Sequence, residues 1–133
     1  MNAQQLITPC FFEYTQNRST FPVGTYPCGM AFDGYSIWGA NNGSNSVTKS
    51  RASDETVLGT YDVGWTPQLL AFDGTNIWVS NSGSGTVIKL RASDGIILGN
   101  YAVGSNPGGE AFDGNNIWVA NYNSDSVTKY SLH

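Results

Sequence analysis

The segment Ala31-Phe32-Asp33-Gly34 returns as Ala71-Phe72-Asp73-Gly74 and as Ala111-Phe112-Asp113-Gly114, forty residues apart each time. Other residues recur at the same spacing: Pro27, Pro67 and Pro107; Ile37-Trp38, Ile77-Trp78 and Ile117-Trp118; Asn41, Asn81 and Asn121; Lys49, Lys89 and Lys129. A fixed period of this length indicates a repeat architecture, in which each unit packs on its neighbours.

One period, from Gly29 to Gln68, reads as four short strands. They are called a to d, and they cover Met30–Phe32, Ser36–Ala40, Ser46–Arg51 and Val57–Val63. Asp-Gly and Asn/Ser/Gly clusters between these runs are turn signals, and no run has helical spacing. Four strands per forty residues predict the blade of a β-propeller, so the expected fold is all-β with three blades in the chain. We expect Trp38, Trp78 and Trp118 to be buried between blades and Trp65 to be more exposed.

A family resemblance rests on strand b. The segments Ile37-Trp38-Gly39-Ala40-Asn41, Ile77-Trp78-Val79-Ser80-Asn81 and Ile117-Trp118-Val119-Ala120-Asn121 resemble the motif of the Tyr-Val-Thr-Asn β-propeller repeat family, with tryptophan in place of the usual tyrosine. The resemblance spans roughly residues 18–132. It implies the propeller fold but no single activity, because that family is functionally mixed.

The blades are also similar to those of streptogramin lyases. That resemblance would imply a lyase with catalytic histidine and acidic residues and a magnesium ion. The only histidine of this chain is its last residue, His133. We therefore place a lyase-like enzyme third among the hypotheses.

The two ends of the chain complement each other. Residues 18–24 align with strand d at Leu58–Gly64, whereas the last repeat stops after strand c. The expected organisation is an N-terminal arm and three blades, of which the third lacks its outer strand: 1–17 (arm), 18–24 (velcro strand), 25–64 (blade 1), 65–104 (blade 2) and 105–133 (blade 3). Propellers usually have about four to eight blades, so we expect two chains to complete a six-bladed ring. Residues 18–24 of each chain, the velcro strand, would supply the missing outer strand of blade 3 in the other chain. The alternative is a fragment of a longer gene.

The arm at residues 1–17 has no counterpart in the repeat and is rich in apolar side chains, among them Leu6, Phe11 and Phe12. It either packs along the outer edge of the completed blade or reaches another ring and builds a larger assembly. Cys10 lies in the arm and Cys28 in the first d–a loop. Two free thiols and a disulfide between them are both compatible with the sequence.

Composition limits the choice of partners. Only 12% of the residues are charged, and the formal net charge is −4. Nucleic acids and anionic membranes attract basic proteins, so neither is an expected partner. No segment is long and apolar enough to insert into a membrane as a helix, and residues 1–8 do not resemble a secretory signal. We expect an extracellular or cell-surface location, with the cytoplasm as the alternative.

Candidate sites point to binding rather than catalysis. The sequence has no His/Cys cluster for a metal, no nucleophile elbow and no phosphate or dinucleotide motif, so no catalytic residue, metal or cofactor is expected. The three aspartates of the Asp-Gly segments are interpreted as turn residues. The d–a and b–c loops, which emerge on one face of a propeller, differ between repeats. They carry the candidate ligand-binding residues Tyr26, Trp65, Asn106, Glu110, Tyr122, Asn123 and Asp125.

Such an aromatic and amide-rich surface would suit a glycan or a peptide. The alternative is that these loops carry no function and that Trp65 only covers a blade junction. Two function hypotheses follow. The first is a non-enzymatic, self-assembling scaffold, favoured by the arm; the second is a multivalent lectin-like or peptide-binding module.

Overall fold

The computed structural model describes residues 18–132. In that range the chain forms eleven strands of six residues and one short 3₁₀ turn at Tyr122–Ser124. The strands are β1 (Pro27–Phe32), β2 (Ser36–Asn41), β3 (Ser46–Arg51), β4 (Val57–Asp62), β5 (Pro67–Phe72), β6 (Asn76–Asn81), β7 (Thr86–Arg91), β8 (Ile97–Ala102), β9 (Pro107–Phe112), β10 (Asn116–Asn121) and β11 (Ser126–Ser131).

The strands make three antiparallel sheets, one for each repeat. Blade 1 is β1-β2-β3-β4, blade 2 is β5-β6-β7-β8, and blade 3 is the three-stranded β9-β10-β11. The prediction of an all-β chain with four-stranded repeats is confirmed for blades 1 and 2, and residues 18–132 give blade 3 three strands. The three sheets of residues 18–132 do not form a closed ring.

Each blade has two different faces, because side chains alternate along a strand. Trp38 lies opposite Ala31 and Lys49, and Ala40 lies opposite Val47. These side chains define the tryptophan face of blade 1, and the neighbouring Ile37 lies on its isoleucine face. The same registers recur in blades 2 and 3, so every blade carries both faces.

Two apolar seams join the three blades. The first packs the tryptophan face of blade 1 on the isoleucine face of blade 2, and the second repeats this between blades 2 and 3. The buried side chains of the first seam are Trp38, Ala40, Val47, Leu70, Ile77, Val79, Ile88, Leu90 and Ala92, and those of the second are Trp78, Val87, Ile117 and Val119. Burying one such side chain stabilises the fold by roughly 1.5–3 kcal/mol.

The outer strand places a tyrosine against each seam tryptophan. The rings of Trp38 and Tyr61 stack at 5.6 Å, and those of Trp78 and Tyr101 at 5.7 Å. Gly99 lies beneath the second tyrosine, and a Cβ there would collide with the Tyr101 hydroxyl. The recurring Leu-Gly-x-Tyr segment therefore needs glycine to make room for the ring.

The segment before blade 1 forms no strand between residues 18 and 23. Phe21 and Val23 nevertheless lie over the isoleucine face of blade 1, where they line a small apolar cavity with Met30 and Ile37. Gly24 then donates its backbone N–H to Asn41 Oδ1 at 3.1 Å, as Gly104 does to Asn121 at 3.0 Å. The velcro strand stays a prediction, because its sheet would belong to another chain.

Candidate functional site

The d–a and b–c loops lie side by side on one face of the chain. In blade 1, Asn42 and Gly43 donate backbone N–H groups to the carbonyls of Tyr26 and Thr25, both at 2.9 Å. The same ladder recurs in blades 2 and 3, where Ser82 and Gly83 bond Thr66 and Trp65, and Tyr122 and Asn123 bond Asn106 and Ser105. We call this surface the loop face.

Local sequence explains why the loops keep one shape while their side chains vary. A serine in each b–c loop accepts a backbone N–H of the d–a loop at 2.7 Å, and these serines are Ser44, Ser84 and Ser124. Each d–a loop also contains a residue with positive φ: Tyr26, Thr66 and Asn106. The conformation is therefore held by the backbone and the serines, which leaves the other side chains free to differ.

The candidate aromatic residues project from this loop face. Tyr26, Trp65 and Tyr122 are all strongly exposed, Trp65 at 68%. The greater exposure of Trp65 agrees with the prediction for that tryptophan. Asn123 and Asp125 are exposed in the b–c loop of blade 3, and Asn106 is half-buried in the adjoining d–a loop. A ligand-binding role for these residues stays a prediction.

Glu110 does not belong to this surface, which corrects its predicted position among the exposed candidates. It lies on β9 opposite Val119, on the side of the strand that carries Phe112. Because Phe112 packs into the seam with blade 2, Glu110 also faces that seam. Its two carboxylate oxygens are buried without a hydrogen-bond partner among the described residues. Burial raises the pKa of Glu110 well above its usual range.

No further blade covers the two end faces of the chain within residues 18–132. On the isoleucine face of blade 1, Met30 and Phe32 are exposed, although the equivalent Leu70 of blade 2 is buried. On the tryptophan face of blade 3, Val127 is exposed and Trp118 is 40% exposed. Trp38 and Trp78 are buried as predicted. Trp118 is not buried in the single chain, because no blade covers it.

Sequence reasoning missed a cluster that recurs in every blade. Asp33 accepts the Tyr35 and Ser36 backbone N–H groups through Oδ1 and the Trp38 indole N–H through Oδ2 at 2.8 Å. Lys49 Nζ lies 5.3 Å from the Trp38 ring centre. The indole bond and the lysine contact are repeated at Asp73-Trp78-Lys89 and Asp113-Trp118-Lys129. The constant Asp-to-Trp spacing of five residues was the available signal.

At Asp33 and Asp113, hydrogen bonds lower the pKa more than burial raises it. Burial acts to raise the pKa of Asp33, but the bonds from Trp38 and two backbone amides, with Lys49 nearby, hold that pKa below its usual range. At Asp113, hydrogen bonds from the Asn116 and Trp118 side chains hold the pKa well below its usual range. The aspartates are therefore turn residues, as predicted, and they also orient the indole rings.

Other classes of site have little support in residues 18–132. No group of three or more His, Cys, Asp or Glu side chains in that range is arranged to hold a metal ion. Across the same residues, no helix has the length and hydropathy needed to cross a bilayer. Cys28 is exposed and forms no disulfide with another described residue, whereas Cys10 and the rest of the arm lie outside them.

Solved structures identify the fold. The chain is similar to virginiamycin B lyase from Staphylococcus aureus, with a TM-score of 0.69 and 22% identity over 80% of this chain and 38% of that one. It is also similar to a putative 6-phosphogluconolactonase from Bacteroides uniformis, with a TM-score of 0.69 and 14% identity over 80% of this chain and 37% of that one. Hydrazine synthase of Kuenenia stuttgartiensis gives a TM-score of 0.62 and 22% identity over 86% of this chain and 38% of that one.

The first two of these structures are β-propellers, which supports a propeller-like arrangement of the three sheets. No protein-family model and no curated protein matches the sequence. The Tyr-Val-Thr-Asn assignment therefore stays a prediction. At this identity the likeness concerns the fold alone, and the chain spans less than two-fifths of each structure it matches.

Proposed function

We propose that the chain is a non-enzymatic scaffold that assembles with a second copy of itself into a six-bladed ring. One observation carries the proposal: the surfaces that seal the two internal seams are the same two surfaces that remain open at the ends. A tryptophan face and an isoleucine face pack together inside the chain. The open tryptophan face of blade 3 and the open isoleucine face of blade 1 form a matching head-to-tail pair.

The missing outer strand supports the same arrangement. Trp38 and Trp78 each stack on a tyrosine of their own blade's fourth strand. In residues 18–132 Trp118 has no such strand beside it, whereas Phe21 lies one period before Tyr61 in the sequence. Phe21 of a second copy would therefore occupy the place beside Trp118. Exposed apolar faces of this kind rarely stay bare in a monomer.

The repeat fixes the expected register between the two chains. In blade 1, Val47 lies opposite Tyr61 and Lys49 lies opposite Gly59. Val127 of β11 lies two periods after Val47, and Phe21 lies one period before Tyr61. Val127 would therefore lie opposite Phe21 of a second copy. By the same rule Lys129 would lie opposite Ser19. The proposed velcro strand thus has a defined partner at each position.

Disulfide trapping tests this register. In a Cys10→Ser, Cys28→Ser background, we expect Ser19→Cys with Lys129→Cys to form a covalent two-chain species under mild oxidation, because opposite residues of an antiparallel pair meet the Cα separation a disulfide needs. Thr20→Cys with Lys129→Cys is the matched control, one residue out of register. Equal trapping of both pairs, or of neither, would contradict the proposed ring.

A glycan- or peptide-binding module is the second candidate, and exposed Tyr26, Trp65 and Tyr122 on one loop face favour it. A ring would double the number of these loops and raise avidity for a multivalent ligand. On a glycan array, we expect binding to be reduced by Trp65→Ala and Tyr122→Ala if this candidate is correct. Binding that neither substitution changes would exclude the loop face.

A further inference from the structure

The opposite side of the chain carries a cavity at each blade seam. Between blades 2 and 3 a cavity of about 280 Å³ is lined by Asp73, Asn76, Lys89, Phe112 and Leu132, among others. Between blades 1 and 2 the repeat-equivalent cavity, of about 390 Å³, is lined by Asp33, Ser36, Lys49, Phe72 and Ala92, among others. Both are built from the Asp-Gly turns and the strand c lysines, and neither includes a loop-face candidate.

The two cavities differ in how their lysine is engaged. Lys49 crosses its seam and donates to the carbonyls of Ala92 and Ser93, at 2.7 and 3.4 Å. Within residues 18–132, Lys89 Nζ has no hydrogen-bond acceptor and only lies 5.3 Å from the Trp78 ring centre. Toward residues 18–132, its ammonium group therefore has donors that no acceptor occupies.

Asn76 lines the same cavity and carries an acceptor that has no partner among the described residues. Asn76 replaces the Ser36 of blade 1, and it is 91% buried, with 9% of its surface exposed. Its Oδ1 is buried and has no hydrogen-bond partner among the described residues. A buried acceptor without a partner is costly, so a donor that enters the cavity would be bound favourably. Blade 1 has no such acceptor, which makes the second cavity the distinct one.

The charge and shape of this cavity select the ligand. Asp73 already accepts two backbone amides through Oδ1 and the Trp78 indole through Oδ2, which leaves one acceptor site on Oδ2, and its charge balances that of Lys89. A hydroxyl group can donate to Asn76 Oδ1, and a hydroxyl can accept from Lys89. The Phe112 side chain supplies an apolar wall for the C–H face of a ring. We propose that this seam binds a neutral polyhydroxylated ligand, namely a sugar unit.

The ring would create a related site where the two copies meet. Asn116 and Lys129 hold the positions of Asn76 and Lys89 in blade 3, and Phe32 of a second copy would take the place of Phe112. This extension rests on the proposed function, whereas the site between blades 2 and 3 lies within one chain. Failure of the ring would therefore remove the extension and leave the proposal intact.

Titration of the full chain with free methyl glycosides of glucose, galactose, mannose, fucose and N-acetylglucosamine, followed by amide and side-chain NMR, tests the site. We expect at least one glycoside to shift the Asn76 side-chain signals with a dissociation constant of about 1 mM, since one small cavity offers few contacts. Asn76→Ser, which restores the blade 1 residue, and Lys89→Gln should each weaken binding about ten-fold or more.

Lys49→Gln is the matched control, because that lysine is already bonded across the other seam, and it should leave the affinity unchanged. Three results would overturn the proposal: no shift with any glycoside, equal affinity in Asn76→Ser, or preferential binding of inorganic phosphate. Sugar binding lost in Trp65→Ala but retained in Asn76→Ser would also overturn it, and would place the sugar on the loop face.

Discussion

At the scale of single residues, the seam tryptophans are fixed from two sides. An aspartate accepts the indole N–H while a lysine covers the ring, in all three blades. The aspartate also closes its own turn, so one side chain sets both the hairpin and the orientation of the ring that fills the seam. This double use explains how a short Asp-Gly segment can recur unchanged while the neighbouring loops vary.

Glu110 is the residue that fits its surroundings least. The equivalent Leu70 is buried in the first seam, so Glu110→Leu should raise the free energy of unfolding by about 1–3 kcal/mol at neutral pH, the usual cost of an unsatisfied buried polar group. Chemical denaturation measures the change. A stability loss would mean that the carboxyl group has a partner that its surroundings in residues 18–132 do not reveal.

The same carboxyl group predicts a dependence on pH. The ordinary pKa is 4.5, and burial raises the pKa in the folded chain. The folded state therefore retains its proton when the unfolded state has lost it. Stability should be full below about pH 4.5 and should fall as pH rises through the raised pKa. Glu110→Leu should remove this fall, whereas Asp62→Asn, which alters an exposed carboxyl group, should not.

At the scale of strands and loops, the repeat predicted most of what is observed. Strand c was placed at Ser46–Arg51, where β3 lies, and strand d at Val57–Val63, where β4 ends at Asp62. Alternating side chains and Asp-Gly turns suffice for that, because both are local. The hydrogen bond that orients Trp38 is also local, since Asp33 lies five residues before it, but the sequence pattern alone did not reveal it. The burial of Glu110 is not local, because it depends on how blade 2 packs against β9.

The outer strand offers a direct test of packing. Gly99→Ala would push a methyl group into the Tyr101 hydroxyl and should lower the free energy of unfolding by about 1–3 kcal/mol, as overpacking usually does. Gly109→Ala on β9 is the control, because a Cβ there would meet only Ala120 at 3.7 Å, and its effect should stay within about 0.5 kcal/mol. Equal effects would show that strand d tolerates a displaced tyrosine.

At the scale of the whole molecule, the chain resembles a section of a ring. Two seams between blades are packed within it. The tryptophan face and the isoleucine face that a further seam would need lie at its two ends. Such an interface is heterologous, so it must either close or continue into a filament, and the curvature typical of propellers favours closure. Phe21 and Val23 already lie over the isoleucine face that a second copy would meet.

The role of the arm in assembly can be tested by truncation. If it joins rings, removal of residues 1–16 should leave two-chain rings and abolish larger particles. If it covers the outer edge of its own blade, the truncated chain should keep its particle size and unfold more easily. Electron microscopy of both forms, with thermal unfolding of each, distinguishes these outcomes.

The mass of the native particle tests the ring most directly. Sedimentation velocity of the untagged chain, with residues 1–16 removed so that only ring closure is measured, should give a particle of two chains at micromolar concentration. The two end faces would then be shielded, and Trp118 should become as inaccessible to iodide quenching as Trp78, because each would be covered by an isoleucine face. A stable, soluble monomer of the truncated chain would contradict the account. So would a stable monomer of the full chain, which has a mass of 14.3 kDa.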